Sequence, residues 1–156
     1  MATRNEFQRE GLRVMMQSSV VTSYGIDEIE VGMTASYSQT ITDADIKRFA
    51  GISGDFNPVH MDEQYAAASM FKKRIAHGYI SASFFSAIFG TTLPGRGCVY
   101  VSQNLSFLRP VYINDTVVAS VTVMGKDVKR KRVTFETLCT VNNKPVINGQ
   151  AEIYIP

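Results

Sequence analysis

Hydrophobic and polar positions alternate with a period of two over much of the last third of the chain. Val117, Ala119, Val121 and Val123 share one face of such a run. Val133, Phe135, Thr137, Cys139 and Val141 line a second, and Ile147, Ala151, Ile153 and Ile155 a third. Spacing of this kind puts successive side chains on opposite sides of an extended backbone, so each run predicts a strand with one buried face. An earlier run, with Val99, Val101, Leu105 and Phe107 on one face, predicts another strand, and residues 35–41 predict a further one. Turn chemistry separates these runs: "PVYIND" at 110–115, "GKD" at 125–127, and "NNKP" at 142–145, the last predicting an antiparallel hairpin.

The middle of the chain reads as helical. Thr42 caps a helix expected to run to Ala50, with Asp43 and Asp45 in its positively polarised first turn. Asn57 offers a second N-cap with Pro58 at the first helical position, where a missing N–H costs nothing. Asp62 and Glu63 follow, and this helix is expected to continue through "EQYAAASMF". A third helix starts near Gly78 and carries Ile80, Ala82, Phe84, Phe85, Ala87, Ile88 and Phe89 on nearly all sides. A helix without a solvated face must be enclosed. The simplest solution is an α+β arrangement, a curved antiparallel sheet wrapped around one long buried helix.

Composition narrows the class further. A chain of 156 residues suits one domain with a real core, and 45% hydrophobic with 19% charged residues is ordinary for a soluble protein. A net charge of +2 gives no pull toward nucleic acid or a membrane surface. The uncharged stretch Ile75 to Gly95 holds His77, Pro94 and several hydroxyls, and is too polar and interrupted to span a bilayer. Cys98 and Cys139 fall in strand-like runs and read as reduced core residues. Residues 1–24 set Arg4, Arg9 and Arg13 among Glu6 and Glu10, which fits neither a signal peptide nor an acid-poor presequence. They read as a peripheral N-terminal arm of a cytoplasmic protein.

Candidate chemistry lies in "GDFNPVH", residues 54–60. With Asn57 as cap, Asp55 sits in the loop before the helix and His60 in its first turn. The chain reversal can bring both to one side of the helix end. The positive end of a helix disfavours an imidazolium, so His60 would stay neutral and able to accept a proton, with Asp55 sharing the same water. On spacing alone the pair also fits a turn aspartate and a surface histidine. "AHGY" at 76–79 opens the buried helix, where unpaired N–H groups suit a developing oxyanion and Gly78 permits close approach. Packing explains a glycine there equally well, and His77 is read as a hydrogen-bonded structural residue. Two histidines and two strand cysteines fit no common metal spacing.

"FAGISGDFNPVHMDEQYA", "IAHGYISASFFSAIFGTTLPGRG" and "YVSQNLSFLRPVYINDTV" together resemble the MaoC-like (R)-specific enoyl-CoA hydratases, a hot dog fold. The resemblance covers roughly residues 30 to 125 and implies a MaoC-like domain over 25–156. It implies Asp55 and His60 as the pair that activates water, Asn57 as the residue shaping their loop, and the Gly78 amide as oxyanion donor. Ser86 is similar to the family's site serine. It implies no cofactor beyond the coenzyme A carried by the acyl-CoA substrate, and a homodimer or an assembly of dimers. The basic run at Lys129 and Arg130, and Lys72, Lys73 and Arg74, are candidates for the coenzyme A phosphates; a solvated hairpin face is the plainer reading of the first group. The same fold also serves 3-hydroxyacyl-[acyl-carrier-protein] dehydratases, thioesterases and noncatalytic acyl-CoA-binding or scaffold subunits. Asp55, Asn57 and His60 together favour the hydratase.

Overall fold

The structure, a computed structural model, describes residues 22–156; the expectations for residues 1–21 lie outside it. Its strands are β1 (Thr34–Thr40), β2 (Val99–Phe107), β3 (Thr116–Asp127), β4 (Arg132–Val141) and β5 (Lys144–Tyr154). They form one antiparallel sheet in the order β1-β3-β4-β5-β2. The helices are α1 (Asp43–Ser53), α2 (Pro58–Met61), α3 (Glu63–Ala68) and α4 (Gly78–Thr91).

The alternation in β3, β4 and β5 does what its spacing requires. Val117 through Val123, Val133, Phe135, Thr137 and Cys139, and Ile147, Ala151 and Ile153 are buried at the alternate positions. They pack on Phe84, Phe85, Ile88 and Phe89 of α4, which lies in the concave face of the sheet. Phe89 meets Phe135 edge-on at 4.9 Å, and Tyr37 of β1 meets Phe84 at 5.2 Å. Each fully buried ring, such as Phe89 and Phe135, contributes about 1.5–3 kcal/mol, so α4 is the element against which the open sheet packs.

Five local expectations need correcting. The helix begun at Asn57 stops after one turn. Asp62 is extended (φ −118°, ψ 116°), and its carboxylate accepts the Tyr65 N–H at 2.9 Å, so it ends α2 and caps α3. Ser69 then closes α3 with its hydroxyl on the Ala66 carbonyl at 2.6 Å, well before Phe71. Local side-chain caps have outcompeted helix continuation.

Residues 125–127 belong to β3 rather than a turn. A bulge between Val123 and Gly125 keeps the glycine in the strand, and the reversal falls at 128–131 with Lys131 at φ 53°. In β2, a bulge between Tyr100 and Ser102 shifts the phase. Tyr100 then packs on Phe89 at 5.1 Å, while Val99 and Val101 are half exposed and do not share the face of Leu105.

Helix α4 also has an exposed stripe, at Tyr79, Ser83, Ser86 and Gly90, beside the edge strand β2. Finally, residues 22–24, expected in the arm, are bonded into the domain. Thr22 N–H donates to Thr91 O at 3.1 Å, and Tyr24 N–H to Pro94 O at 2.9 Å.

Candidate active site

Thr42 and Asp45 start α1 with a reciprocal cap, the Asp45 N–H on Thr42 Oγ1 at 3.2 Å and the Thr42 N–H on Asp45 Oδ2 at 2.8 Å. Gly54 ends α1 at φ 76°, a left-handed conformation that turns the chain out of the helix. Asp55 follows directly. Its Oδ1 accepts the Asn57 N–H at 3.1 Å, and the Asn57 side chain in turn accepts the Val59 N–H at 3.2 Å. Asn57 therefore shapes the loop from both of its ends. Asp55 Oδ2 lies 3.8 Å from His60 Nε2 and 4.0 Å from His77 Nε2.

His60 is buried, with Nδ1 2.8 Å from the Ile75 carbonyl. A carbonyl only accepts, so Nδ1 carries the proton and Nε2 presents a lone pair on the side of Asp55. Burial holds the imidazole below its ordinary value of 6.5; the Ile75 bond and Asp55 work against that, and His77 and Arg74 add to it. His60 is thus neutral at pH 7, the form that accepts a proton.

His77 touches both members of the pair. Its Nε2–H donates to the Asp55 carbonyl at 2.9 Å, and its ring stacks on that of His60 at 3.9 Å. The sequence reading placed it as structural and missed this; the only signal was its position beside Gly78. Asp55, His60 and His77 bring one nitrogen or oxygen each within 4.8 Å of one another. Metal sites group such atoms too, but here the His77 Nε2 proton is committed to the Asp55 carbonyl, which leaves that nitrogen no lone pair for an ion.

Gly78 opens α4, and its N–H has no partner among the described residues. A Cβ at this position would lie 2.5 Å from the Phe107 ring. The packing reason for glycine is therefore real, and it coexists with a free amide. His60 and Gly78 both line a cavity of about 350 Å³, walled by Met70, Phe71, Phe107 and Arg109. Phe107 and Arg109 carried no motif signal of their own.

Asp55 is held against both Asn57 and His60, and His60 and Gly78 share one cavity. The remaining candidates scatter. Ser86 is exposed two turns along α4, about 12 Å from Gly78 at 1.5 Å per residue. It lines a separate depression with Tyr79, Tyr100 and Leu105. Lys72 and Lys73 border a recess with Tyr112 that shares Phe71 with the main cavity. Arg74 lines the same recess but is turned inward, its side chain only 12% exposed and paired with Asp43 at 2.7 Å. Lys129 and Arg130 sit in the β3–β4 turn. Strand β3 starts at Thr116, next to Asp115 of that recess, and carries the turn to the far end of the strand, about 36 Å along at roughly 3.3 Å per residue.

Three comparisons give this geometry a family. An (R)-specific enoyl-CoA hydratase of Rhodospirillum rubrum is 52% identical over 130 residues, covering 83% of this chain and 90% of that protein. A mitochondrial 3-hydroxyacyl-[acyl-carrier-protein] dehydratase of Arabidopsis thaliana is 34% identical over 160 residues, covering 100% of this chain and 93% of that one. Among solved structures, an unliganded R-hydratase of Pseudomonas aeruginosa superposes with a TM-score of 0.82 at 42% identity, covering 87% of this chain and 88% of that one. The sheet and its central helix are those of the hot dog fold. The family model for the MaoC-like domain matches residues 26–144, and the chain belongs to that family.

Proposed function

We propose that the protein hydrates trans-2-enoyl-CoA thioesters to (R)-3-hydroxyacyl-CoA, and catalyses the reverse dehydration at the same site. The observation that carries this is the placing of an unprotonated, buried His60 Nε2 and the Asp55 carboxylate 3.8 Å apart, with His60 sharing a cavity with the free Gly78 amide. That separation is too long for a direct hydrogen bond and suits two groups holding one water oxygen between them.

The reaction asks for little more. As the water oxygen bonds to carbon three, the electrons of the double bond move toward the thioester oxygen. The Gly78 N–H stabilises the charge that develops there, a donor of a kind whose loss typically costs about 3 kcal/mol of barrier. His60 takes the water's proton and the imidazolium returns it to carbon two as the enolate collapses, so no proton is gained or lost over the cycle. Neither a metal nor a cofactor enters this scheme. Lys72 and Lys73 border the recess that adjoins the cavity, which supports reading them as contacts for the coenzyme A phosphates.

The test is loss of the conjugated enoyl absorbance of crotonyl-CoA and longer homologues, with chiral analysis of the product. The (R) alcohol is expected, and an (S) product or no hydration would refute the assignment. A second reading, dehydration on acyl-carrier-protein thioesters, is favoured by the relative that matches the whole chain. Parallel assays on the two carriers separate them. The working form is proposed to be a homodimer, or an assembly of dimers, in the cytoplasm; no helix among the described residues is long and apolar enough to cross a membrane.

A further inference from the structure

His60 stands on α2, a helix of one turn that cannot hold its own geometry in water. What fixes it is the segment at 74–75. The Ile75 carbonyl accepts from His60 Nδ1 at 2.8 Å, and the Ile75 N–H donates to the Val59 carbonyl at 3.3 Å. Arg74 Nε donates to the His60 carbonyl at 2.6 Å, and Arg74 Nη2 donates to Asp43 Oδ1 at 2.7 Å. One guanidinium thus spans from the first turn of α1 to the backbone of the proposed base. Lysine, with a single nitrogen on a flexible stem, cannot make both bonds in this geometry.

We propose that the Arg74–Asp43 pair is a positioning device for His60, with Arg74 holding the imidazole in place through its own carbonyl and Asp43 holding Arg74. This rests on the reading of His60 as the base. The groups facing His60 are the Asp55 carboxylate from the loop, the His77 ring from the cap of α4, and Arg74. Asp43 and Glu63 lie behind the guanidinium at 2.7 and 3.9 Å, with Lys47 on Asp43. Arg74 is a fixed positive charge that disfavours the imidazolium, and Asp43 partly offsets it.

The two halves of the pair must therefore act on His60 in opposite directions. Arg74→Met removes the positive charge and raises the His60 pKa; Asp43→Asn removes the nearer of the two carboxylates that offset the guanidinium and lowers it. Arg74→Lys keeps the charge and leaves the titration near that of the natural protein, while turnover falls about 10- to 100-fold with a smaller change in KM. A residue that merely braces the fold would lower thermal stability and leave the titration unmoved.

The measurement is an NMR pH titration of the imidazole Cε1–H signals in the whole protein and the three variants. With two histidines in the chain, His60→Gln assigns them. Opposite shifts in Arg74→Met and Asp43→Asn are the expected result; shifts in the same direction, or none in either, overturn the proposal. Should Arg74→Met fail to fold, the downward shift in Asp43→Asn and the slow, normally titrating Arg74→Lys carry the test, and the lack of either counts against it. The titration needs no turnover, so an inactive natural protein would sink the hydratase reading without deciding this one.

Discussion

At the scale of the residue, the site depends on which nitrogen of one imidazole carries a proton. The Ile75 carbonyl settles that for His60, and burial sets the pH range in which Nε2 stays free. In the proposed mechanism the active form of His60 is neutral, so activity should be lost as pH falls through its folded-state pKa, which lies below the ordinary 6.5. The acid limb of kcat/KM should have its midpoint below 6.5, and a midpoint above it would contradict the burial argument. Gly78 answers to two demands at once. Gly78→Ala drives a methyl into the Phe107 ring and should lower stability by about 1–3 kcal/mol, read by thermal unfolding; an unchanged melting temperature would remove the packing demand. Motif spacing made Asp55, Asn57, His60 and Gly78 candidates in the sequence, and their assigned roles came from the family resemblance rather than from the spacing. His77 and Phe107 were not visible as site residues, since what they touch lies 17 to 29 residues away.

At the scale of the element, the strands with a strict period of two were legible because burial on one face demands it. The departures all sit where a local bond breaks the period. Asp62 caps a new helix, Gly125 is absorbed in a bulge, and the bulge at Tyr100 and Ser102 turns Tyr100 inward. None of these is encoded by hydrophobicity, so none could be read from it. The buried strand face carries a further consequence. Cys139 is enclosed by β4 and α4, and burial pushes its thiol up to about 12. A thiol reagent should leave Cys139 unmodified in the native protein and reach it only on unfolding; rapid modification at neutral pH would show that this part of the core opens.

For the whole molecule, what is left uncovered is as informative as what is buried. Edge strand β2 exposes Val99, Val101 and Phe107, and the stripe of Tyr79, Ser83, Ser86 and Gly90 on α4 lies beside it. An unpaired edge strand that exposes apolar side chains is a surface that proteins usually cover. A second copy placed edge to edge would bury upwards of about 2,000 Å², and light scattering at micromolar concentration should give at least twice the 17.3 kDa of one chain. An active species with the mass of one chain would refute the dimer. The claim at the centre of the account is that Asp55 and His60 activate water together. The measurement that tests it most directly is crotonyl-CoA hydration by Asp55→Ala and His60→Ala, each shown by circular dichroism to be folded. Each variant should be slower by on the order of 10²-fold or more; near-native turnover by both folded variants would contradict it.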